Sequence, residues 1–148
     1  MRLVKMASSY LRQALCRLRD AEEALEEGNS PYALRLSQEC VELSLKAALK
    51  LVGIEYPKVH DVSDVLLDYR DRFPDWFRAE VEYMADVSSS LAAKRELALY
   101  GSEDALLPPD EVVSRGEAER AVRGARKVYS LCAKLLSLYL RSSGVESS

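Results

Sequence analysis

The stretch GNSPYALRLSQECVELSLKAALKLVG, residues 28–53, decides the fold class of this chain. Between its terminal glycines, apolar residues recur at spacings of three and four, the period of one face of an α-helix. The stripe consists of Leu34, Cys40, Val41, Leu45, Ala48, Leu49 and Val52. Gly28 is typical of a helix end, Ser30 of a helix cap and Pro31 of a first turn. The stretch therefore predicts a helix over residues 31–52 that follows a tight αα-hairpin.

The same helical period continues on both sides of this stretch. Upstream, residues 3–27 carry one apolar stripe, formed by Leu3, Met6, Tyr10, Ala14, Leu18, Ala21 and Leu25. Downstream, Asp61 resembles the N-cap of a short helix. Pro74 then starts a longer helix that has a weak point at residues 88–90 and ends before Gly101. Two long antiparallel helices, a short helix and a third long helix are therefore expected up to this glycine.

A loop and a final helix complete the pattern. Residues 101–114 are predicted to form the one long loop, because Pro108 and Pro109 cannot continue a helix. Ser114 and Glu117 have the spacing of a capping box, which predicts a last helix over residues 118–140. Residues 143–148 are predicted to be a frayed tail. Together these elements predict one all-α domain over residues 1–142, an antiparallel bundle of four to five helices.

The composition limits the classes of protein to which the chain can belong. It has 148 residues, of which 48% are hydrophobic and 30% charged, and it is poor in glycine and proline, as helical domains are. The formal net charge of −3 argues against a surface that is cationic throughout, so any contact with RNA must be local. No apolar run approaches the roughly 18 residues of a membrane span. We expect a cytoplasmic protein that uses no cofactor and contacts no membrane.

The cysteines and the single histidine form no metal-binding or disulfide pattern. Cys16, Cys40 and Cys132 are far apart and lie in apolar helical segments, which predicts buried thiols in a reducing compartment. His60 precedes an acidic helix start, where a capping or hydrogen-bonding role is more common than metal ligation. The sequence therefore predicts no metal site.

An ordered set of residues along the second and third predicted helices indicates a family. The set consists of Ser37, Gln38, Glu42, Lys46, Ala47, Gly53, Pro57 and His60. With these residues, the chain resembles HEPN domains, small prokaryotic helical proteins often encoded beside a minimal nucleotidyltransferase. The likeness continues through KRELALYG, residues 94–101, and AERAVRGARKVY, residues 118–129, and so covers most of the chain. The resemblance implies a HEPN-type bundle that forms a homodimer and has a minimal nucleotidyltransferase as its partner protein.

The segment RELALY, residues 95–100, stands where HEPN ribonucleases carry their catalytic motif. In those enzymes an arginine holds the RNA phosphate. A histidine four to six residues later moves the proton of the attacking 2′-hydroxyl, at a cleft between two copies and without a metal. The resemblance places Arg95 at the arginine position and Tyr100 at the histidine position. A free phenol ionises near pH 10 and a free imidazole near pH 6.5, so a tyrosine is a poor proton acceptor.

Two further positions bear on this comparison. His60 belongs to the structural pattern of the family rather than to its catalytic motif. Some toxins of the family carry a tyrosine, two positions after the catalytic histidine, that the partner enzyme modifies with adenylate. This chain has Ser102 at that position. The resemblance therefore does not carry the modification over to this chain.

The candidate site residues on the second and third long helices also have structural interpretations. Arg95 could hold a phosphate, or it could be a solvated arginine paired with Glu96 or another acid. Tyr100 lies about 140° around an ideal helix from Arg95, which favours a packing role. Gln38 and Glu42, one turn apart on the polar edge of their helix, could face the cleft or hold the helical hairpin together.

The last predicted helix is the most basic segment of the chain. Arg123, Arg126 and Lys127 share one of its faces. Such a run is typical of a solvated surface, and together with the basic first helix it could instead form an RNA-facing patch. The sequence leaves both interpretations open.

Two hypotheses of function follow. In the first, the protein is the toxin-type component of a HEPN and nucleotidyltransferase pair. It binds RNA or a nucleotide phosphate at a dimer cleft around Arg95, and metal-independent cleavage of RNA is a further step. In the second, it is a catalytically silent homodimeric module that binds and regulates a partner nucleotidyltransferase. The replacement of the family histidine by Tyr100 favours the second hypothesis, and the family position of Arg95 favours the first.

Overall fold

The structure, a computed structural model, describes residues 1–142; the predicted frayed tail, residues 143–148, lies outside the described residues. The α-helices are α1 (Arg2–Glu26), α2 (Ser30–Leu51), α3 (Ser63–Asp68), α4 (Asp75–Arg78), α5 (Val81–Tyr100), α6 (Pro109–Val112) and α7 (Arg115–Ser142). A 3₁₀ turn, Arg70–Arg72, lies between α3 and α4. The all-α class is confirmed. Within residues 1–142, no helix has the length and apolar character needed to cross a membrane.

The hairpin between α1 and α2 forms as predicted but uses a different cap. The Asn29 side chain, not that of Ser30, accepts a hydrogen bond from the backbone N–H of Tyr32 at 3.3 Å. Gly28 has φ +80°, a left-handed conformation that glycine adopts without a steric penalty. Asparagine and serine are both good cap residues, so the sequence pattern did not distinguish between these neighbours.

Helix α2 is central, because it packs against α1, α5 and α7. Its buried side chains include Leu34, Val41, Leu45 and Leu49, all at most 1% exposed. Burying a leucine of this kind stabilises the fold by about 1.5–3 kcal/mol. The position of α2 also determines where the candidate site lies, because polar side chains of α2 contact side chains of the helices packed around α2.

The buried face of α1 agrees with the predicted stripe from Tyr10 onwards and departs from it only at the N-terminal end. Leu3 and Met6 are about 40% exposed, so their predicted place in the core is wrong. The buried residues are instead Val4, Ala7, Leu11, Ala14, Leu18, Ala21 and Ala24. Four of these seven are alanines, whose small side chains allow α1 to approach α2 closely. The smaller residues thus form the buried face, and the larger ones near the N-terminus face solvent.

The predicted helix from Pro74 to Gly101 is two helices. It breaks between α4 and α5 at residues 79–80, where no glycine or proline signals a stop. Phe77 is fully buried and its ring stacks on Phe73 at a centroid distance of 4.4 Å. The packing of these two rings, four positions apart in the sequence, accompanies the change of direction. The predicted weak point at residues 88–90 is absent from α5, and Ser88 there donates a hydrogen bond to Asp61 at 2.9 Å.

The segment after α5 contains more structure than the predicted loop. Ser102 and Leu107 form an isolated antiparallel bridge, and Pro109 begins the single turn of α6. The predicted capping box is confirmed: the Glu117 carboxylate accepts from the backbone N–H of Ser114 at 3.2 Å, and the Ser114 hydroxyl accepts from that of Glu117 at 3.1 Å. Helix α7 begins at Arg115, three residues earlier than predicted.

The three cysteines do not share one environment. Cys40 and Cys132 are buried as predicted, whereas Cys16 is exposed on α1. Burial raises the pKa of the Cys40 thiol to about 12. The two buried thiols are therefore inert towards nucleophilic chemistry at neutral pH, because a thiol must ionise to react.

Candidate functional site

Arg95 lies on the face of α5 that packs against α2, with 21% of its side chain exposed. Its Nη1 donates a hydrogen bond to Oε1 of Gln38 at 2.5 Å and lies 3.5 Å from Oε2 of Glu39. Both partners come from α2 rather than from Glu96, the neighbour on its own helix. Arg95 is thus paired with an acid of the bundle, and it is largely withdrawn from solvent instead of solvated.

Gln38 connects Arg95 to a second carboxylate. It is 2% exposed, so its predicted place on the polar edge of the helix is wrong. Its Nε2 donates to Oε1 of Glu42 at 3.0 Å. An amide can donate from nitrogen while it accepts at oxygen, so one side chain satisfies both the arginine and the carboxylate. Gln38 therefore holds Arg95 and Glu42 in a fixed relation.

Glu42 is the most highly bonded acid of the site. Besides Gln38, Lys46 donates to its Oε2 at 2.9 Å, and Nδ1 of His60 lies 2.8 Å from its Oε1. Burial raises the pKa of the Glu42 carboxyl, but the hydrogen bonds from Lys46, Gln38 and His60 outweigh burial, so its pKa is lowered overall. Glu42 is therefore ionised at neutral pH.

Glu39, the neighbour of Gln38 on α2, is the second acid of the site and contacts three arginines. Its carboxylate lies 3.0 Å from Nε of Arg17 on α1 and 3.3 Å from Nε of Arg35, in addition to Arg95. We refer to the connected side chains as the Arg95 cluster: Arg17, Arg35, Gln38, Glu39, Glu42, Lys46, His60 and Arg95. Its four cations against two carboxylates leave a formal excess of two positive charges. The cluster is thus cationic within a chain whose net charge is −3.

Five members of the Arg95 cluster, together with Leu43, line an open pocket of about 200 Å³: Arg17, Glu39, Glu42, His60 and Arg95. Pockets for drug-sized ligands occupy roughly 300–1,000 Å³. The volume therefore suits a small group such as a phosphate, with the rest of a ligand outside. Residues 1–142 contain no group of three or more His, Cys, Asp and Glu side chains arranged to hold a metal ion.

His60 is the member of the pocket that sequence reasoning placed outside the site. The loop after α2 returns His60 to that helix, where it meets Glu42, 18 positions earlier. Residues 52–62 form no helix, so helical spacing in the sequence did not indicate the contact. Arg17 and Glu39 were missed for a similar reason, because only the packing of α1 on α2 brings them together.

Tyr100 lies apart from the Arg95 cluster. It is the last residue of α5, and it is 61% exposed, so the predicted packing role is wrong. It lines a separate depression of about 320 Å³ together with Glu96, Glu103 and Asp104. Helix α5 remains regular up to Tyr100, so this residue and Arg95 point in different directions, about 140° apart. Three carboxylates beside the phenol also disfavour a phosphate there.

The basic residues of α7 do not join the cluster either. Arg126 pairs with Glu22 of α1 at 2.5 Å. Lys127 pairs with Glu80 at 3.2 Å, before the start of α5, and its ammonium lies 4.5 Å from the centre of the Tyr83 ring. Arg123 lines a groove of about 440 Å³ between α5 and α7. The three side chains thus have three different surroundings, and none lines the pocket of Arg95.

The comparisons with known proteins agree on the fold. The family model described as HEPN domain matches residues 7–135, most of the chain. The crystal structure of TT1696 from Thermus thermophilus superposes with a TM-score of 0.68 at 23% identity, over 86% of this chain and 96% of that one. The structure of ST0689, an archaeal HEPN homologue, gives a TM-score of 0.65 at 22% identity, over 88% and 97% of the two chains. No curated protein matches the chain significantly. The match of the family model shows that this chain belongs to the HEPN domain family.

Proposed function

We propose that this HEPN protein binds the phosphate of RNA or of a nucleotide at the Arg95 cluster. The observation that carries the proposal is that Arg17 and Arg95 line a pocket of phosphate size, in a chain that is acidic as a whole. Arg35 and Lys46, outside the pocket lining, pair with the two carboxylates that share it. A cationic site with low-dielectric walls concentrates anions locally even when the net charge of the protein is negative. RNA contact is therefore expected at this place and not over the whole surface.

The geometry of the arginines supports this assignment. A guanidinium has five N–H donors in a planar fork that matches the oxygens of a phosphate. The contacts of Arg95 with Gln38 and Glu39 are both made by Nη1, which leaves donors of the same fork for a ligand. Because the helices already hold the side chain in place, a ligand need not order a mobile arginine.

Binding of single-stranded RNA, followed by fluorescence anisotropy, tests the proposal. Arg95→Gln removes the charged donor and should weaken binding about 10- to 100-fold, the range for a hydrogen bond to a charged group. Arg12→Gln is the matched control, because Arg12 is an exposed arginine outside the cluster. Equal binding by the wild type and Arg95→Gln, both folded, would contradict the proposal.

The family also supports a partner protein. We propose that the chain forms a homodimer and works as the toxin-type half of a pair with a minimal nucleotidyltransferase, as the HEPN family assignment suggests. Co-expression of the protein with a nucleotidyltransferase encoded beside it, followed by affinity purification, tests the pairing. Recovery of a stable complex is expected, and repeated failure to recover one would count against the pair.

A catalytically silent interaction module is the second candidate function. It is favoured by the exposed apolar residues after the middle of α5: Leu97 is 39% exposed, Tyr100 61%, Leu106 87% and Leu107 40%. Leu106 also has φ +56°, an unfavourable conformation for leucine. A hydrophobic side chain held in this way is typical of a protein contact rather than of an ordinary surface.

Leu106→Asn separates the two functions. Asparagine tolerates positive φ, so this variant should fold at least as well as the wild type while it loses the apolar contact. An interaction module should lose partner binding in Leu106→Asn and keep it in Arg95→Gln. A phosphate-binding protein should lose RNA binding in Arg95→Gln and keep it in Leu106→Asn.

A further inference from the structure

The contact between His60 and Glu42 defines the protonation pattern of the imidazole. Glu42 is ionised, because three donors stabilise its charge. An ionised carboxylate can only accept hydrogen bonds. Nδ1 of His60, 2.8 Å from Oε1 of Glu42, must therefore carry the hydrogen of this bond. In the neutral imidazole the other nitrogen, Nε2, then has a lone pair and no hydrogen.

This lone pair is accessible to a ligand. The His60 side chain is 58% exposed. Within residues 1–142, the contacts of the ring are made by Nδ1 alone. His60 lines the same pocket as Arg95, and a chain of hydrogen bonds through Glu42 and Gln38 joins the two residues. A phosphodiester bound by Arg95 would thus lie beside an imidazole that is oriented to accept a proton.

We propose that His60, rather than Tyr100, is the proton-transfer residue of this site, and that it acts on the ribose 2′-hydroxyl of an RNA phosphodiester held by Arg95. The inference rests on the proposed binding of RNA phosphate at the Arg95 cluster. Glu42 is the positioning residue, because it fixes the orientation and tautomer of the ring. Tyr100 has no part in the step, since it lies in an acidic depression on another face of α5.

The step balances without any co-reactant other than water. Nε2 of His60 accepts the 2′-hydroxyl proton, and the 2′-oxygen forms a bond to the adjacent phosphorus. The bond from phosphorus to the 5′-oxygen of the next nucleotide breaks, and that oxygen takes a proton from water. The imidazolium returns its proton to the hydroxide left behind. The products are a 2′,3′-cyclic phosphate and a 5′-hydroxyl, while Arg95 offsets the charge that develops on the phosphate oxygens.

Cleavage and binding of end-labelled RNA, measured on the same preparations, test the inference. The wild type should leave cyclic phosphate ends. His60→Gln should cleave at least about 100-fold more slowly, the usual effect of losing a general base, while its RNA binding should fall much less than that of Arg95→Gln. Tyr100→Phe should cleave like the wild type. Melting temperatures of both variants check the fold, and His60→Asn provides a second substitution at the same position.

The pH dependence of cleavage adds a readout that a structural role for His60 would not change. An imidazole base gives a rate that levels off above neutral pH, whereas a phenolate base gives a rate that rises towards pH 10. The charged groups that face the ring are Glu42 and, through it, Lys46; Arg17, Glu39 and Arg95 line the same pocket. Glu42→Gln should slow cleavage, because it removes the carboxylate that orients the ring.

The outcomes separate this inference from the function on which it rests. A wild-type protein that binds RNA through Arg95 but does not cleave it overturns the role of His60 and leaves the proposed function standing. Unchanged cleavage by His60→Gln, or loss of cleavage in Tyr100→Phe, also overturns the role of His60. A wild-type protein that fails to bind RNA overturns the proposed function and the inference together.

Discussion

Replacement of Gly101 by alanine should destabilise this protein more than the same change at Gly28 or Gly53. All three glycines have positive φ, between 68° and 80°. Gly101 differs in its ψ of −157°, which places it in a region that is essentially restricted to glycine. It ends α5 directly after Tyr100 and begins the segment that folds back through the bridge between Ser102 and Leu107.

The surroundings of the three glycines set the size of the effect. A Cβ atom on Gly101 would lie 2.1 Å from the carbonyl oxygen of Leu107 and 2.7 Å from the carbonyl carbon of Pro108, whereas at Gly28 and Gly53 it would meet nothing within 4 Å. Backbone strain costs about 1–3 kcal/mol at Gly101, and about 1–2 kcal/mol at the other two. Displacing the Leu107 backbone also weakens two hydrogen bonds of the bridge, worth about 0.5–1.5 kcal/mol each.

The expected loss of unfolding free energy is therefore about 2–6 kcal/mol for Gly101→Ala and about 1–2 kcal/mol for the two control variants. Urea unfolding followed by circular dichroism measures this difference, provided that the dependence on urea is the same for all variants. In thermal unfolding, each kcal/mol corresponds to about 2–4 °C for a chain of this size. A Gly101→Ala protein as stable as Gly28→Ala would refute the geometry of the segment after α5.

Three further predictions concern the interior and the site. The pKa of the Glu42 carboxyl is lowered from its ordinary 4.5 in the folded protein. The stability that Glu42 contributes is therefore complete above pH 4.5 and is lost as the pH falls towards the folded-state pKa. In urea unfolding, Glu42→Gln should lose less stability on acidification than the wild type. Gln38→Leu should reduce the unfolding free energy by about 1–3 kcal/mol, because Arg95 and Glu42 each lose a hydrogen bond that leucine cannot replace, and an unchanged urea midpoint would contradict this. Ellman's reagent should modify Cys16 in the folded protein but reach Cys40 and Cys132 only on unfolding, so three reactive thiols under native conditions would show that the buried pair is accessible.

Much of the fold follows from helical periodicity and end signals. The stripe between Gly28 and Gly53 predicts α2 to within one residue at each end, because it combines a regular apolar face with a proline start and a glycine stop. The break between α4 and α5 was not predictable in this way. It accompanies the burial of Phe77 against Phe73, and no glycine or proline marks it in the sequence at residues 79–80.

The site was predictable only in its parts. The family resemblance placed Arg95, Gln38 and Glu42 among the candidates, but the hydrogen bond that joins Arg95 to Gln38 spans 57 positions and depends on how α5 packs against α2. To predict that His60 lies in the site, one would have needed to know the course of the loop after α2. Tyr100 was predicted to pack because it lies about 140° around the helix from Arg95, whereas its position at the last turn leaves it in solvent.

The resonances of the His60 imidazole test the central claim most directly, because the chain has a single histidine. Titration of the labelled protein with a short single-stranded RNA, followed by NMR, reports whether a ligand enters the pocket shared by His60 and Arg95. We predict a saturable shift of the His60 signals in the wild type and a much weaker response in Arg95→Gln. His60 signals that stay unchanged at saturating RNA, while signals elsewhere move, would contradict a phosphate site at the Arg95 cluster.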